Sequence, residues 1–260
     1  MNNKIGIGIA GLGTVGEGFL KQLKKYKTNN KKTSNFELIN IAVKNLRKKR
    51  NVITKNLPLI KDTLSLASNP KIDIVIELIG GSSGVAYKLV KNSLMNGKSI
   101  ITANKALLAI HGNELIKIAE KNNCFISFEA AIAGGIPVVK AIRENLKFNE
   151  ITKVYGILNG TCNYILTKME TEGKDFNSVL KDAQNLGFAE LDPSFDIKGI
   201  DAAHKITLLS SLAFNVPVNF SSTYIEGIQN IEIDDFNLVR EFGYKIKLLG
   251  IAKKKSNFYE

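Results

Sequence analysis

Three glycines near the amino terminus have the spacing of a dinucleotide-binding turn. Gly11, Gly13 and Gly16 form the pattern G-x-G-x-x-G directly after the alternating apolar segment 4–10. In such turns the first glycine permits a tight bend, the second lets backbone approach a pyrophosphate, and the third lets helix and strand pack closely. A strand pattern precedes the turn and a helical pattern follows it, so the motif predicts dinucleotide binding. The backbone predicted to contact the cofactor comprises Gly11, Leu12, Gly13, Thr14, Val15 and Gly16.

The end of the second predicted strand favours NADP as the cofactor. This strand covers residues 36–43 and is followed by Lys44 and Arg47, with no carboxylate at its tip. An NAD site usually places an acidic side chain there to bind the ribose 2′-hydroxyl. Basic side chains would instead neutralise a 2′-phosphate. The sequence therefore favours NADP, with NAD as the alternative cofactor and a solvated basic loop as the alternative interpretation.

Lysines and carboxylates at three further places could transfer protons or bind a charged substrate. Lys105 follows the predicted strand 99–102, at the edge where an open α/β sheet binds its ligand. Asp201 and Lys205 are four residues apart and share a face of a predicted helix. Glu190 lies in the preceding loop, which is rich in turn-forming residues. The structural alternatives are a lysine on a surface helix and an ordinary helix salt bridge.

Short strand patterns alternate with helical patterns through the first half of the chain. The predicted strands are 4–10, 36–43, 72–79, 99–102 and 124–128, with helical segments such as 112–121 between them. This alternation is typical of a doubly wound parallel sheet of the Rossmann type. We therefore predict an α/β dinucleotide-binding domain over residues 1–133.

The pattern changes after about residue 130, where a glycine- and proline-containing turn begins a second predicted domain, 134–260. Its pattern predicts an α+β domain with a mixed sheet. The predicted helices are 138–145, 163–172, 176–186 and 199–214, and the predicted strands are 152–158, 223–229 and 247–252.

Composition excludes several classes of protein. Of 260 residues, 44% are hydrophobic and 23% are charged, which argues against disorder and favours a globular protein. No run of 18 apolar residues and no signal-peptide pattern occur, so we expect a cytoplasmic protein with no membrane partner. The formal charge of +12 attracts anions in general. The basic run 44–50 could bind nucleic acid, but we interpret it as solvated surface and expect no nucleic-acid partner.

Six ordered sequence blocks carry a family resemblance. They are GLGTVG at 11–16, ELIGG at 77–81, TANKALLA at 102–109, EAAIAGGIPVV at 129–139, GILNGTCNYILTKM at 156–169, and GFAELDPSFDIKGIDAAHKITLLSSLAF at 187–214. Together they resemble homoserine dehydrogenase over most of the chain. The resemblance implies an NAD(P)-dependent oxidoreductase that interconverts L-homoserine and L-aspartate 4-semialdehyde by hydride transfer, in the biosynthesis of threonine, methionine and isoleucine.

The resemblance also implies roles for single residues. It makes Lys205 the proton donor and places Lys105 beside both cofactor and substrate. Glu190 and Asp201 match the carboxylates that receive the substrate's ammonium group, and Gly187 matches a cofactor-binding position.

A cation site and a dimer are implied in the same way. The segment 129–139 resembles a turn that holds a monovalent cation, usually sodium, through backbone oxygens. The matching positions here are Glu129, Ile132, Gly134 and Ile136; the alternative is an ordinary turn at a domain boundary. The resemblance implies a homodimer. Family members usually continue well beyond the position of Glu260, so we expect a short carboxyl terminus and no ACT regulatory domain.

Two other functions remain open on the sequence. One is a semialdehyde dehydrogenase that acylates a cysteine, with Cys162 as the nucleophile. Neither histidine has an evident base role, and Cys124 and Cys162 lack the C-x-x-C spacing of a zinc or redox site, so we interpret Cys162 as a small packed residue. The other is a dinucleotide-sensing regulator without turnover, which would not need the lysines and carboxylates together.

Overall fold

The computed structural model describes residues 4–29, 35–52, 56–255 and 259. The chain divides into two compact units, residues 1–138 and 139–260. None of the helices in the described ranges has the length and apolar composition needed to cross a membrane.

The first unit contains a six-stranded parallel sheet, as the alternating pattern predicts. Its strands are β1 (Ile5–Ala10), β2 (Phe36–Ala42), β3 (Leu59–Ile60), β4 (Ile74–Glu77), β5 (Ser99–Thr102) and β6 (Ile126–Ser127). They lie in the order β3-β2-β1-β4-β5-β6, and every pairing is parallel. The helices are α1 (Thr14–Asn29), α2 (Ser65–Ser68), α3 (Val85–Met95), α4 (Lys105–Lys121) and α5 (Glu129–Ile132). The predicted doubly wound sheet is confirmed.

The central strands of this sheet are apolar on both faces because helices cover both sides. Ile9 and Ile41 are fully buried, and Ile76 is buried beside them. The strand order reverses between β1 and β4, and in open α/β sheets ligands bind at the carboxyl ends of the strands at such a point. Sheet topology therefore draws attention to the loops that follow β1, β4 and β5.

The second unit consists of helices and a small antiparallel sheet. Its elements are α6 (Val138–Lys140), which starts at the unit boundary, a π-helical turn (Ala141–Asn145), β7 (Lys153–Gly156), α7 (Gly160–Glu172), α8 (Phe176–Asn185), α9 (Ser194–Ile197), α10 (Ile200–Phe214), a 3₁₀ turn (Phe220–Ser222), α11 (Ile233–Glu241) and β8 (Gly250–Lys253). β7 pairs with β8 antiparallel. The core packs Ile165, Leu166 and Met169 of α7 against Val179 and Ala183 of α8.

Three local predictions for the second unit need correction. The strand predicted at 223–229 is wrong, because that segment is irregular backbone that packs on α9. The Ile228 amide donates to the Ile197 carbonyl at 2.9 Å, and Gly227 lies so close to this carbonyl that a Cβ would not fit. The predicted helix 138–145 becomes π-helical from Ala141 onward. The sheet predicted as mixed is the antiparallel β7–β8 pair in the part of the unit that the structure describes.

Candidate active site

The glycines of the turn after β1 differ in what surrounds them. Gly11 has a φ of +101°, and a Cβ there would lie 2.6 Å from the Leu78 carbonyl oxygen. A Cβ on Gly16 would lie 2.5 Å from the Gly11 carbonyl oxygen. Gly13 is different, because a Cβ there would meet no heavy atom within 4 Å. Gly11 and Gly16 are therefore required by the packing of the protein itself, whereas Gly13 faces open space, as a cofactor-binding position would.

The loop after β2 is attached to this glycine turn. The Arg50 guanidinium donates to the Asn45 carbonyl at 2.7 Å and to the Leu12 carbonyl at 3.4 Å. Glu17 on α1 accepts the Asn51 amide at 3.1 Å. Lys44 and Arg47 are exposed on the same loop. The basic run thus contains one arginine that anchors the loop, while Lys44 and Arg47 remain at the surface beside the end of β2.

The carboxyl ends of β4 and β5 are joined by a buried polar network. Glu77, the last residue of β4, is 0% exposed. Its Oε1 accepts the amides of Ile79 and Gly80 at 2.9 and 3.0 Å, and its Oε2 accepts the Thr102 hydroxyl at 2.6 Å. Thr102 Oγ1 in turn accepts the Asn104 amide at 2.9 Å. One carboxylate therefore links the loop after β4 to the end of β5.

Asn104 extends the network to helix α4. Its side-chain oxygen accepts the Leu107 amide at 3.1 Å and so caps the helix, while its Nδ2 donates to the Gly81 carbonyl at 2.7 Å. Lys105, half-buried, is the first residue of α4. Lys105 thus lies directly after β5 at the carboxyl edge of the sheet, where the sequence predicts it.

In the second unit, Lys205 and Asp201 form a close pair on α10. Lys205 Nζ lies 2.8 Å from Asp201 Oδ2 and donates to the Leu158 carbonyl at 2.7 Å. The side chains are 18% and 6% exposed, respectively. An amine with one partly open side, held by two acceptors, has a fixed position from which a proton can be exchanged with a bound hydroxyl.

Asn159 connects this pair to two other elements. Its Nδ2 donates to Asp201 Oδ2 at 2.9 Å and to Asp196 Oδ1 at 2.7 Å. Its Oδ1 accepts the Cys162 amide at 2.7 Å and caps helix α7. One buried amide thus separates two carboxylates that would otherwise repel each other, and it fixes both relative to α7.

The remaining predicted site residues of this unit lie in the loop after α8. Gly187 has a φ of +78°, which ends the helix, and it is exposed. The Glu190 side chain is exposed, and its carbonyl accepts Gln184 Nε2 at 3.1 Å. The structure therefore brings Asp201 and Lys205 into contact and leaves the Glu190 carboxylate at the surface.

The cysteine alternative conflicts with the surroundings of Cys162. Its thiol is fully buried in the core and donates to the Asp196 carbonyl at 3.2 Å. Burial, and then the charges of Asp196 and Asp201, raise the pKa of this thiol to about 12. His204 packs between the rings of Phe195 and Phe220. A buried thiol with a raised pKa is a poor nucleophile, so the prediction of a packed structural cysteine fits and the acylating cysteine does not.

The turn predicted to hold a monovalent cation begins with α5 at Glu129. Gly135 has a φ of +86°, the Ile136 amide donates to the Ala133 carbonyl at 2.9 Å, and the Ile136 carbonyl accepts the Val138 amide at 2.8 Å. Within the described ranges, no group of three or more His, Cys, Asp or Glu side chains could hold a metal ion. A cation at this turn would depend on main-chain oxygens.

Sequence reasoning missed the residues that hold the candidate site residues of each unit in place. They are Arg50, Glu77, Thr102, Asn104 and Asn159. A signal was present for Glu77, because a glutamate ends the otherwise apolar strand segment IVIE. A buried charge usually has several hydrogen-bond partners, and the sequence alone does not say which they are.

Comparison with known proteins identifies the family. The family model for the NAD binding domain of homoserine dehydrogenase matches residues 11–129, and the model for homoserine dehydrogenase matches residues 137–259. The homoserine dehydrogenase of Neisseria gonorrhoeae is 46% identical over 96% of this chain. The solved homoserine dehydrogenase of Thiobacillus denitrificans is 45% identical over 98% of this chain, with a TM-score of 0.93.

The extent of these matches differs between relatives. This chain spans 58% of the Neisseria protein and 59% of the Thiobacillus structure. A hyperthermophilic archaeal homoserine dehydrogenase, solved in complex with NADPH, is 26% identical over 96% of this chain and 79% of its own, with a TM-score of 0.79. With both family models matched in order and similarity along nearly its whole length, the chain belongs to the homoserine dehydrogenase family.

Proposed function

We propose that this protein interconverts L-homoserine and L-aspartate 4-semialdehyde with a nicotinamide dinucleotide as the hydride carrier. The observation that carries the proposal is the close pair of half-buried Lys205 and buried Asp201, in a chain whose first unit matches an NAD-binding domain. A dinucleotide turn alone would fit many functions. A lysine held between a carboxylate and a carbonyl, in a separate unit, adds the proton-transfer group that an alcohol dehydrogenase needs.

Alcohol oxidation removes a hydride from carbon and a proton from oxygen. When bound, the nicotinamide supplies the hydride acceptor, and in the reverse direction the hydride. We assign the proton to Lys205 Nζ, which would accept it from the homoserine hydroxyl and return it to the aldehyde oxygen. An ammonium has three donors, and two of them are directed to Asp201 and Leu158. The third would donate its proton to the aldehyde oxygen. In the direction of homoserine oxidation Lys205 must start as the neutral amine, whose lone pair would take this third position and accept the hydroxyl proton.

The other predicted residues complete the proposed site. Glu190 and Asp201 would receive the substrate's ammonium group, since charge-assisted hydrogen bonds to carboxylates are strong. Lys105, at the start of α4, would lie beside cofactor and substrate. Gly187 would contact the cofactor, as would the turn from Gly11 to Gly16.

For the cofactor, we favour NADP over NAD. The exposed Lys44 and Arg47 after β2 support this choice, and the archaeal relative is solved with NADPH. Charge-reversed variants of these two residues should lower the preference for NADP. We also propose a homodimer and a sodium ion at the main-chain oxygens of Glu129, Ile132, Gly134 and Ile136, both on family resemblance.

The test is to record absorbance of the reduced nicotinamide with the purified chain, L-homoserine, and NADP or NAD in parallel. Lys205→Ala should lower kcat by about 10²- to 10⁴-fold, the range for loss of a proton-transfer group. Lys181→Ala, at an exposed lysine on α8, is the matched control and should retain activity. A folded chain that binds the cofactor but does not oxidise homoserine would refute the proposal, as would a Lys205→Ala variant with full activity.

A further inference from the structure

We infer that Glu77 is a positioning residue of the cofactor site. It acts through Thr102 and Asn104, and it sets the backbone of residues 79–81 relative to the start of helix α4. The inference rests on the proposed function and extends it. Glu77 is not among the residues proposed to contact the cofactor, but it would hold those residues in place.

Glu77 is a carboxylate buried at the end of an apolar strand. Glu77 is 0% exposed, and each of its oxygens accepts hydrogen bonds, three in total from Ile79, Gly80 and Thr102. Burial of a charged group is unfavourable unless it is hydrogen-bonded. A valine or isoleucine at the end of β4 would be buried without this free-energy cost. Core packing therefore does not explain the glutamate.

The backbone that Glu77 holds is a glycine-containing loop at the edge of open space. Gly80 and Gly81 have φ values of +73° and +85°, conformations that glycine adopts readily but that offer no regular hydrogen-bond ladder. A Cβ on either glycine would meet no heavy atom within 4 Å, so this stretch borders open space. Glu77 binds the Gly80 amide and Asn104 binds the Gly81 carbonyl. The loop is therefore fixed from the protein side while its other side stays accessible.

The loop after β4 adjoins the dinucleotide turn on one side and helix α4 on the other. The Leu78 amide donates to the Ala10 carbonyl at 2.8 Å, and the Leu78 carbonyl lies against Gly11, the first glycine of the dinucleotide turn. On the other side, Asn104 caps α4, which begins with Lys105. The network of Glu77, Thr102 and Asn104 thus connects the dinucleotide turn with Lys105, two parts of the proposed site that are about 90 residues apart in sequence but share one sheet edge.

Proton counting makes Glu77→Gln a sharp test. Thr102 Oγ1 donates its proton to Glu77 and accepts the Asn104 amide. A glutamine can keep its oxygen on the amides of Ile79 and Gly80, but its NH₂ group then faces Thr102 and cannot accept the hydroxyl proton. The Thr102 hydroxyl can accept from this NH₂ group, but its own proton then lacks its acceptor at a buried site, which weakens the link between the loop after β4 and the end of β5.

The experiment measures NADPH binding by fluorescence titration, together with kcat and KM for L-homoserine and thermal unfolding. Glu77→Gln should raise the Kd for NADPH about tenfold, which corresponds to about 1.4 kcal/mol. Thr102→Val should act similarly, whereas Thr102→Ser, which keeps the hydroxyl, should bind like the unmodified chain. Asn104→Ser keeps a helix-capping oxygen and loses the contact to the Gly81 carbonyl. This variant therefore tests the loop contact independently of the helix cap.

Controls distinguish positioning from plain stability. Asp73→Asn removes a carboxylate at the opposite end of β4, where Asp73 accepts the Gly6 amide at 2.7 Å. Ile72→Val trims a buried side chain and lowers stability without touching the network. Both should retain the NADPH Kd of the unmodified chain even where the unfolding temperature falls.

The results for these variants either support or overturn the positioning role of Glu77. If Glu77→Gln and Thr102→Val unfold at lower temperature but bind NADPH normally, the network is only structural and the inference is wrong. If Glu77→Gln does not fold, the pair Thr102→Ser and Thr102→Val and the Asn104→Ser variant give the same comparison. If the unmodified chain binds NADPH without oxidising homoserine, the proposed function fails, and the ratios of Kd values still test the inference. Binding of neither NADPH nor NADH would overturn both.

Discussion

Gly13→Ala should weaken cofactor binding without lowering the stability of the fold, because a side chain at Gly13 would contact no other part of the protein. Its φ lies outside the left-handed range, and an added Cβ would meet no heavy atom within 4 Å. Alanine at such a position stabilises a protein by about 0.4–1 kcal/mol by restricting the unfolded chain. In a chain of this length, this raises the unfolding temperature by about 1–3 °C. The same methyl group would occupy the space through which a pyrophosphate approaches the backbone.

For NADPH, we expect Gly13→Ala to raise the Kd about 10- to 100-fold, the effect of losing one charge-assisted hydrogen bond of about 1.5–3 kcal/mol. Gly16→Ala is the matched control, since its Cβ would lie 2.5 Å from the Gly11 carbonyl oxygen. It should lower stability by about 1–3 kcal/mol, the usual cost of overpacking. Fluorescence titration and thermal unfolding of the same samples measure both quantities. Normal NADPH binding by Gly13→Ala, or a loss of stability equal to that of Gly16→Ala, would refute this reasoning.

Three further predictions concern other parts of the chain. Cys162→Ser should retain most turnover, and the native thiol should react negligibly with a disulfide reagent at pH 8, because burial raises its pKa to about 12; loss of turnover with binding intact would restore the cysteine mechanism. Asn159→Ser should keep its helix cap but lower stability by about 1–3 kcal/mol and reduce kcat, since Asp196 and Asp201 both lose their amide donor; denaturant unfolding and kinetics measure the two effects. Hydrogen bonds from Lys91, and then from Tyr87, lower the pKa of Glu114 below its unfolded value near 4.5. Its small stabilising effect is therefore present above that value and is lost as pH falls through the folded pKa, so Glu114→Gln should be slightly less stable at pH 7 and indistinguishable in acid.

The fold could be predicted where the signal is local and repeats. Strands β1, β4 and β5 are short apolar runs between helical patterns, and that alternation is sufficient for a parallel sheet. The segment 223–229 has equally good strand-forming residues, but its partner is the backbone of α9 rather than another strand. Helix α11, for which the sequence patterns predict no element, begins with a capping box between Glu232 and Asp235, a local signal that the sequence does contain.

The site residues likewise differ in whether local sequence predicts their contacts. Asp201 and Lys205 are predictable because a helix brings residues four apart together. Asn159 is not, since its carboxylate partners are 37 and 42 residues away, and only the folded unit places them at one amide. Glu77 and Asn104 are found only once it is known that the loops after β4 and β5 are adjacent.

β4 is held in place at both ends by carboxylates that flank its apolar residues. Its residues are buried on both faces of the sheet, so a shift by one position relative to β1 would exchange one isoleucine or valine environment for another at small hydrophobic cost. Asp73 bonded to the Gly6 amide of β1, and buried Glu77 bonded to the Thr102 hydroxyl of β5, remove that ambiguity. A slipped strand would break the first contact and would leave the Glu77 carboxylate buried without its partner on β5. The charged residues thereby fix the pairing register of a strand whose hydrophobic pattern does not specify it.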